Sequence, residues 1–274
     1  IEKKANVKSV VRDKIHNSNF FLSGINKKNS LVYGNIEDYN FINRIMNEHE
    51  IDTVFHLAAQ AIVQTATRNP LSTFKANIEG TWNILEAARN NKLIQGVIVA
   101  SSDKAYGEHK ILPYTEDLPL QGAYPYDVSK SCADLLTQSY YKTYGLPTCI
   151  TRCANMYGGG DLNFSRIIPG IIKAILKNKD FIIRSDGTLE RDYMYVEDGA
   201  NAYLTIGENI HKQNIKGESF NFGTETPVSV LELFEKVKFA LNSNISAQVL
   251  GEAKGEINKQ FLGCEKARTK LNWK

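Results

Sequence analysis

Short apolar runs alternate with amphipathic stretches along most of the chain. Asn6–Val11, Ser30–Tyr33, Thr53–Leu57, Gly96–Ala100 and Pro147–Arg152 are brief and mostly apolar, and they end in polar residues or turn formers. They predict strands. Between them Phe41, Ile42, Ile45 and Met46 recur at helical spacing, as do Phe74, Ile78, Trp82, Leu85 and Ala88 after Asn69-Pro70. Each set predicts a helix with one apolar stripe. Further on, Ile167, Ile168, Ile171, Ile172 and Ile175 form another helical face. Val196-Glu197-Asp198 opens a helix with acids at its N-terminus, and Val228–Leu241 reads as a late helix.

Chemistry enters at Tyr126-Asp127-Val128-Ser129-Lys130, which leads into the helix-forming run Ser131–Leu136. A helix places Tyr126 and Lys130 on one face. An ammonium beside a phenol favours the phenolate, so the pair predicts a tyrosine base with a lowered pKa. Such spacing also arises by chance on solvated helices. Upstream, the buried run Gly96–Ala100 passes into Ser101-Ser102-Asp103-Lys104. Strand ends of this kind are where open α/β sheets place ligands. Ser102 is positioned to orient a substrate hydroxyl that Tyr126 deprotonates.

A strand-end serine followed by Tyr-x-x-x-Lys resembles the extended short-chain dehydrogenase/reductases, in their nucleotide-sugar epimerase and dehydratase branch. Phe55–Gln60, Asn77–Thr81, Arg152–Gly158 and Arg191–Asp198 match phrases of that branch in order. The resemblance implies an α/β protein with a Rossmann-like doubly wound parallel sheet and a smaller C-terminal α/β substrate lobe. Residues 1–162, with 194–222 returning to them, would form the NAD(P)-binding domain. Residues 163–274 would form the sugar-nucleotide lobe. In the family a strand, a glycine-rich turn and a helix precede the segment that starts this chain. No Gly-x-Gly-x-x-Gly or Gly-x-x-Gly-x-x-Gly occurs here. The expectation is that this first βαβ portion, about 30 residues, lies outside the given chain. A truncated protein with a weakened pyrophosphate site is the competing reading. The resemblance likewise implies one more helix beyond Lys274.

The cofactor expected is NAD or NADP, recycled without net consumption. Arg12 and Asp13 stand where an arginine would accommodate a 2′-phosphate and an acid would bond the ribose, unless they simply pair with each other. Asn35 and Ile36 would meet the adenine, although the family usually carries an aspartate at Asn35. Leu57, Ala58, Ala59 and Gln60 would line the dinucleotide, with Asn77, Tyr126 and Lys130. His56 reads as a hydrogen-bonded core residue. Asn155, Arg166 and Arg191 are the expected sugar-diphosphate contacts, the arginines because a guanidinium fork matches phosphate oxygens. A turn-capping amide and a surface arginine are the plain alternatives for Asn155 and Arg166. The glycines at 158–160 lack a following lysine and read as a switch into the second lobe, not a phosphate loop.

Hydride chemistry at sugar C4 needs only serine, tyrosine and lysine. A 4-epimerase stops there. A 4,6-dehydratase must also remove the C5 proton and protonate the departing C6 hydroxyl, which calls for one more acid and base. Asp103-Lys104 supplies such a pair and resembles the CDP-glucose 4,6-dehydratases. The Arg12 strand end resembles, more weakly, the GDP-mannose dehydratases. Asp103 is then the acid toward C6 and Lys104 the group at C5; a turn ion pair is the simple alternative. The expected function is a nucleotide-diphosphate-hexose 4,6-dehydratase, a lyase of deoxysugar biosynthesis. The alternatives are a 4-epimerase, a 4-keto reductase, or a non-catalytic sugar-nucleotide binding fragment.

Composition narrows little further. The 274 residues are 42% hydrophobic and 23% charged, ordinary for a globular protein. A formal charge of +3 gives no case for a nucleic-acid partner. Four cysteines without a Cys-x-x-Cys pair suggest reduced structural thiols and no metal. No signal peptide or membrane-spanning run is evident, so a cytoplasmic enzyme is expected. The family resemblance implies a homodimer through the Asn69-Pro70 and Tyr126 helices; packing of the same stripe on the sheet is the plain alternative.

Overall fold

Strands and helices alternate along the first half of the chain: β1 (Lys8–Val11), α1 (Asn19–Leu22), β2 (Ser30–Tyr33), α2 (Tyr39–Glu48), β3 (Thr53–His56), α3 (Val63–Arg68), α4 (Pro70–Phe74), α5 (Gly80–Arg89), β4 (Gly96–Ala100), α6 (Pro125–Tyr144) and β5 (Thr148–Cys153). The computed structural model describes residues 4–212, 214–252 and 257–274. Within them the second half adds β6 (Asn155–Tyr157), α7 (Ile167–Leu176), β7 (Phe181–Ile183), β8 (Glu190–Arg191), β9 (Tyr193–Tyr195) and α8 (Val196–Asn209). It continues with β10 (Ser219–Phe222), β11 (Val228–Ser229), α9 (Val230–Ala240), β12 (Ala247–Val249), β13 (Lys259–Gln260) and α10 (Glu265–Leu271). The expected helix over Val228–Leu241 starts two residues late because Ser229 caps it. The Ser229 side chain accepts from Glu232 N–H, and the Glu232 carboxylate accepts from Ser229 N–H.

Four strands make a parallel sheet in the order β10-β5-β4-β3, and β1 pairs with β2 in a separate parallel ribbon. The alternation of side chains along β4 shows why helices cover both faces of the sheet. Val97 and Val99 pack with Phe41 and Ile42 of α2 and with Ile84 and Leu85 of α5. Ile98, between them, packs with Ala202 and Ile206 of α8 and with α10. This is the Rossmann-like α/β architecture, with all four strands directing their carboxyl ends the same way. A third apolar cluster, Ile171, Phe234 and Ile245, joins α7 and α9 in the C-terminal lobe.

The stripe expected on the Asn69-Pro70 helix is broken. Lys75–Glu79 forms a π-helical turn between α4 and α5. The widened turn rotates α5 relative to α4, so that Trp82 is 43% exposed while Asn77, Thr81, Ile84 and Ala88 are buried.

Helix α6 is fixed by a buried ion pair. Arg152 on β5 donates to both oxygens of Asp134 at 2.8 and 3.0 Å, and the side chains are 2% and 0% exposed. The same guanidinium donates to the Tyr106 hydroxyl at 2.8 Å, the Glu116 carbonyl at 3.2 Å and Ser219 Oγ at 3.1 Å. One arginine thus joins α6, β5, β10 and the loop after β4. Gly145 ends α6 at φ +69°, a left-handed cap that glycine adopts without strain. Asp134→Ala would strand a buried guanidinium and cost about 3–5 kcal/mol, measured by urea unfolding. Asp134→Leu combined with Arg152→Met should recover most of that loss.

Candidate active site

The carboxyl end of β4 turns sharply. Ser102 caps a single 3₁₀ turn, Asp103–Tyr106, its hydroxyl accepting from Lys104 N–H at 3.2 Å. Gly107 leaves the turn at φ +69°, where a Cβ would lie 2.3 Å from the Gln121 carbonyl oxygen. That close approach folds the following loop back over the strand end. Ser102, Asp103 and Lys104 therefore sit at the strand end that this loop folds over.

Helix α6 starts beside this strand end with Pro125 in its first turn. Tyr126, Lys130 and Asp134 follow at intervals of four, so one face carries all three. The Tyr126 phenol lies beside Ser102, near enough for the serine to favour the phenolate. Ser102 Oγ in turn donates to Asp103 Oδ1 at 2.9 Å. Lys130 is buried and donates to the Ala100 carbonyl at 2.7 Å. The structure thus brings Ser102, Asp103, Lys104, Tyr126 and Lys130 to one strand end.

Their protonation differs from the sequence expectation. Tyr126 is not lowered. Burial, then the neighbouring Asp103 carboxylate, pushes it up to about 12. Lys130 spends its ammonium on a backbone carbonyl, and burial lowers it to about 8. In the free protein the phenol therefore keeps its proton. His56 is a core residue: buried, held down to about 3 by desolvation and then by Lys130, with Nε2 2.9 Å from Thr81 Oγ1.

Asp103 and Lys104 form an ion pair at 2.9 Å. Lys104 Nζ also donates to Gln260 Oε1. Asp127 joins this group, although no sequence motif singles it out. It is buried in the first turn of α6, and its carboxyl is raised to about 6 by desolvation against the pull of Lys104. Its position one residue after Tyr126 is visible in the sequence, but only burial gives it a role.

The other expected residues fall in two groups. At the ends of β1 and β3, Arg12 and Asp13 pair with each other at 2.5 Å and are mostly exposed. Leu57 and Ala58 are exposed beyond β3. Asn77 Oδ1 accepts from Gln60 N–H at 2.7 Å, and its amide donates to the Gln60 carbonyl at 3.0 Å and Ser129 Oγ at 2.9 Å. Asn77 thus staples the loop after β3 and Ala59 to α6. Asn35 Oδ1 accepts from Glu37 N–H at 3.2 Å in a local turn. Ile36 packs on α5, where a Cβ at Gly80 would lie 2.4 Å from Ile36 Cδ1.

Toward the C-terminal lobe, Asn155 begins β6 and donates from its side chain to the Asp192 carbonyl at 3.3 Å. Arg166 pairs with Asp161 at 3.1 Å, yet its charge reaches Tyr126. Arg191 lies on β8, and its guanidinium donates to the carbonyls of Glu190 and Asn258 at 2.8 and 3.3 Å. Among the described residues no cluster of three or more His, Cys, Asp or Glu side chains is arranged to hold a metal ion. Nor is any helix among them long and apolar enough to cross a membrane. All four cysteines are free, Cys149, Cys153 and Cys264 buried and Cys132 half-buried.

The sequence pattern of the GDP-mannose 4,6 dehydratase family matches residues 1–274. The chain belongs to this family of nucleotide-sugar dehydratases and epimerases. Its relatives in the family are mixed. A putative UDP-glucose 4-epimerase of Methanocaldococcus jannaschii is 33% identical, over 92% of this chain and 81% of that protein. The CDP-glucose 4,6-dehydratase of Salmonella typhimurium is 28% identical, over 88% of this chain and 70% of that protein. The fold matches Thermotoga maritima UDP-glucose 4-epimerase, solved with UDP-glucose. The TM-score is 0.90 at 28% identity, over 100% of this chain and 86% of the other. It also matches Bacillus cereus UDP-glucuronic acid 4-epimerase, solved with UDP-glucuronic acid and NAD. There the TM-score is 0.82 at 27% identity, over 93% and 79% of the two chains.

Asp127 adds a buried carboxyl beside Tyr126. Asp127 holds its proton more tightly folded, at about 6 against 3.8. The folded state thus binds more protons between those values, so stability falls as pH rises through them. Asp127→Asn should gain stability relative to the wild type at pH 8 and lose that advantage below about pH 4. Thermal unfolding across this range checks the sign.

Proposed function

We propose that this protein converts a nucleotide-diphosphate hexose, CDP-glucose or GDP-mannose, to its 4-keto-6-deoxy derivative. The observation that carries the reading is the placement of Asp103 and Lys104 beside Ser102 and Tyr126. Two proton-handling groups beyond the serine, tyrosine and lysine are what dehydration requires and C4 epimerisation does not.

A dinucleotide fits the strand ends. The small, exposed Ala58 leaves room beside β3, Arg12 and Asp13 stand ready beyond β1, and Asn77 fixes the loop that starts at Gln60. Arg12, Asp13, Asn35, Ile36, Leu57, Ala58, Ala59, Gln60, Asn77, Tyr126 and Lys130 would hold NAD or NADP. A bound nicotinamide would supply the hydride acceptor for C4 oxidation and the donor for its return. Ser102 orients the C4 hydroxyl, and Tyr126 accepts its proton. With Tyr126 at about 12 in the free protein, a positive charge entering the site must lower it before it works as a base. Moving one proton within the resting ion pair from Lys104 to Asp103 leaves a neutral amine and a carboxylic acid. The Lys104 amine then removes the C5 proton, the Asp103 acid protonates the leaving C6 hydroxyl, water departs, and the ion pair is restored. Arg166 and Arg191 take the diphosphate, with Asn155 near the sugar. Residues 1–162 with 194–222 serve the cofactor, and 163–274 the sugar nucleotide.

We also infer a homodimer through α5 and α6. They pack together and still expose Trp82 (43%) and Leu135 (53%). Light scattering on the purified protein should give twice the chain mass, and Trp82→Glu with Leu135→Glu should halve it.

Incubation with CDP-glucose, GDP-mannose, dTDP-glucose and UDP-glucose should yield, from one of the first two, a 4-keto product absorbing in alkali. A product that is only the C4 isomer would falsify this reading in favour of a 4-epimerase, and stoichiometric NAD(P)H consumption would indicate a 4-keto reductase. Tyr126→Phe should lower turnover by about 10²–10⁴-fold. Asp103→Asn with Lys104→Ala should abolish dehydration while C4 oxidation persists.

A further inference from the structure

Gln260 belongs to none of the motifs above and lies far along the chain from the strand-end pair. It stands on β13, its residue 1% exposed. Both ends of its amide are committed to that pair. Nε2 donates to the Asp103 carbonyl at 2.8 Å, and Oε1 accepts from Lys104 Nζ. Only an amide offers a donor and an acceptor at this spacing. A glutamate would leave the Asp103 carbonyl without its donor, and a leucine would leave both groups short.

The neighbouring backbone holds the amide in place. Tyr114 N–H donates to the Phe261 carbonyl at 2.9 Å, and Gly263 N–H donates to the Tyr114 carbonyl at 2.8 Å. The loop after β4 is thereby clamped to the segment just past Gln260. On its other side β13 pairs in parallel with β8, where Gln260 lies in register with Arg191. One short strand therefore touches Lys104 through a side chain and Arg191 through backbone pairing.

Lys104 has three N–H donors. One goes to Asp103 Oδ2 at 2.9 Å and one to Gln260. The third has no partner among the described residues. Two fixed bonds set the direction of the remaining one.

We propose that Gln260 is a positioning residue: it aims the third position on the Lys104 nitrogen, an N–H in the resting ammonium and the lone pair in the amine, toward the substrate and couples that aim to the strand carrying Arg191. A diphosphate seated on Arg191 and a Lys104 nitrogen set toward the sugar ring then move as one unit. The inference rests on Lys104 acting at C5, but its geometric content does not.

Two measurements separate these. The first is the titration of Lys104, followed by the ¹³Cε shift in NMR of the protein labelled with ¹³C-lysine and assigned with Lys104→Arg. Gln260→Leu removes an acceptor from the ammonium and should shift the titration to lower pH. Gln260→Glu adds a negative charge and should shift it to higher pH. The second is turnover with the nucleotide sugar that the wild type accepts. Gln260→Leu should lower kcat for dehydration about 10- to 100-fold, the cost of a misplaced group, with KM nearly unchanged and C4 oxidation retained. Where Gln260→Leu fails to fold, Gln260→Glu still supplies the titration. An identical Lys104 titration in all three proteins overturns the proposal, as does unchanged kcat in a folded Gln260→Leu. A wild type that never dehydrates a nucleotide sugar overturns the C5 assignment and leaves the titration to decide on Gln260.

Discussion

Everything at the proposed site depends on how α6 is rotated about its axis, and the Arg152–Asp134 pair sets that rotation. Asp134 is the third member of the row that starts with Tyr126 and Lys130. Holding it against β5 through two bonds at 2.8 and 3.0 Å leaves the other two no choice but to face the end of β4. A buried pair of this kind adds little net stability over a well-packed apolar substitute. Its contribution is directional, because an apolar contact would tolerate a helix turned by some degrees and a forked hydrogen bond would not.

The second constraint comes from the far lobe. Asp103 and Lys104 are adjacent in sequence and would pair in any exposed turn. Here they are buried or half-buried and answer to β13. The proposed site is thus assembled from three distant parts of the chain: the end of β4, the start of α6, and a two-residue strand near the C-terminus. The Asp127 carboxyl adds acidity to this assembly, being still partly protonated near neutral pH.

Much of this was legible in the sequence. The short apolar runs became strands with shifts of one or two residues, because β-branched residues between turn formers have few other options. Ser102, Tyr126 and Lys130 converge as their spacing and the strand end implied. What spacing could not convey was electrostatic sign. A lysine four residues from a tyrosine suggests a lowered phenol, but burial and Asp103 act the other way, and Lys130 turns to Ala100. Gln260 was illegible for a different reason: a glutamine has no signal until its partners are known. Asn155 and Asn35 illustrate the limit of motif reading, since both amides are engaged by nearby backbone groups.

The widened turn at Lys75–Glu79 bears on how relatives of this chain can be compared. A turn holding one surplus residue puts everything beyond it about 100° out of phase with a regular helix counted from Pro70. Asn77 then keeps its place over the β3 loop, and Ile84 keeps its place on α2. A homologue with an unbroken helix would need a one-residue gap within these five positions, or its equivalents of Asn77 and Ile84 would be matched to residues on the wrong side of the cylinder.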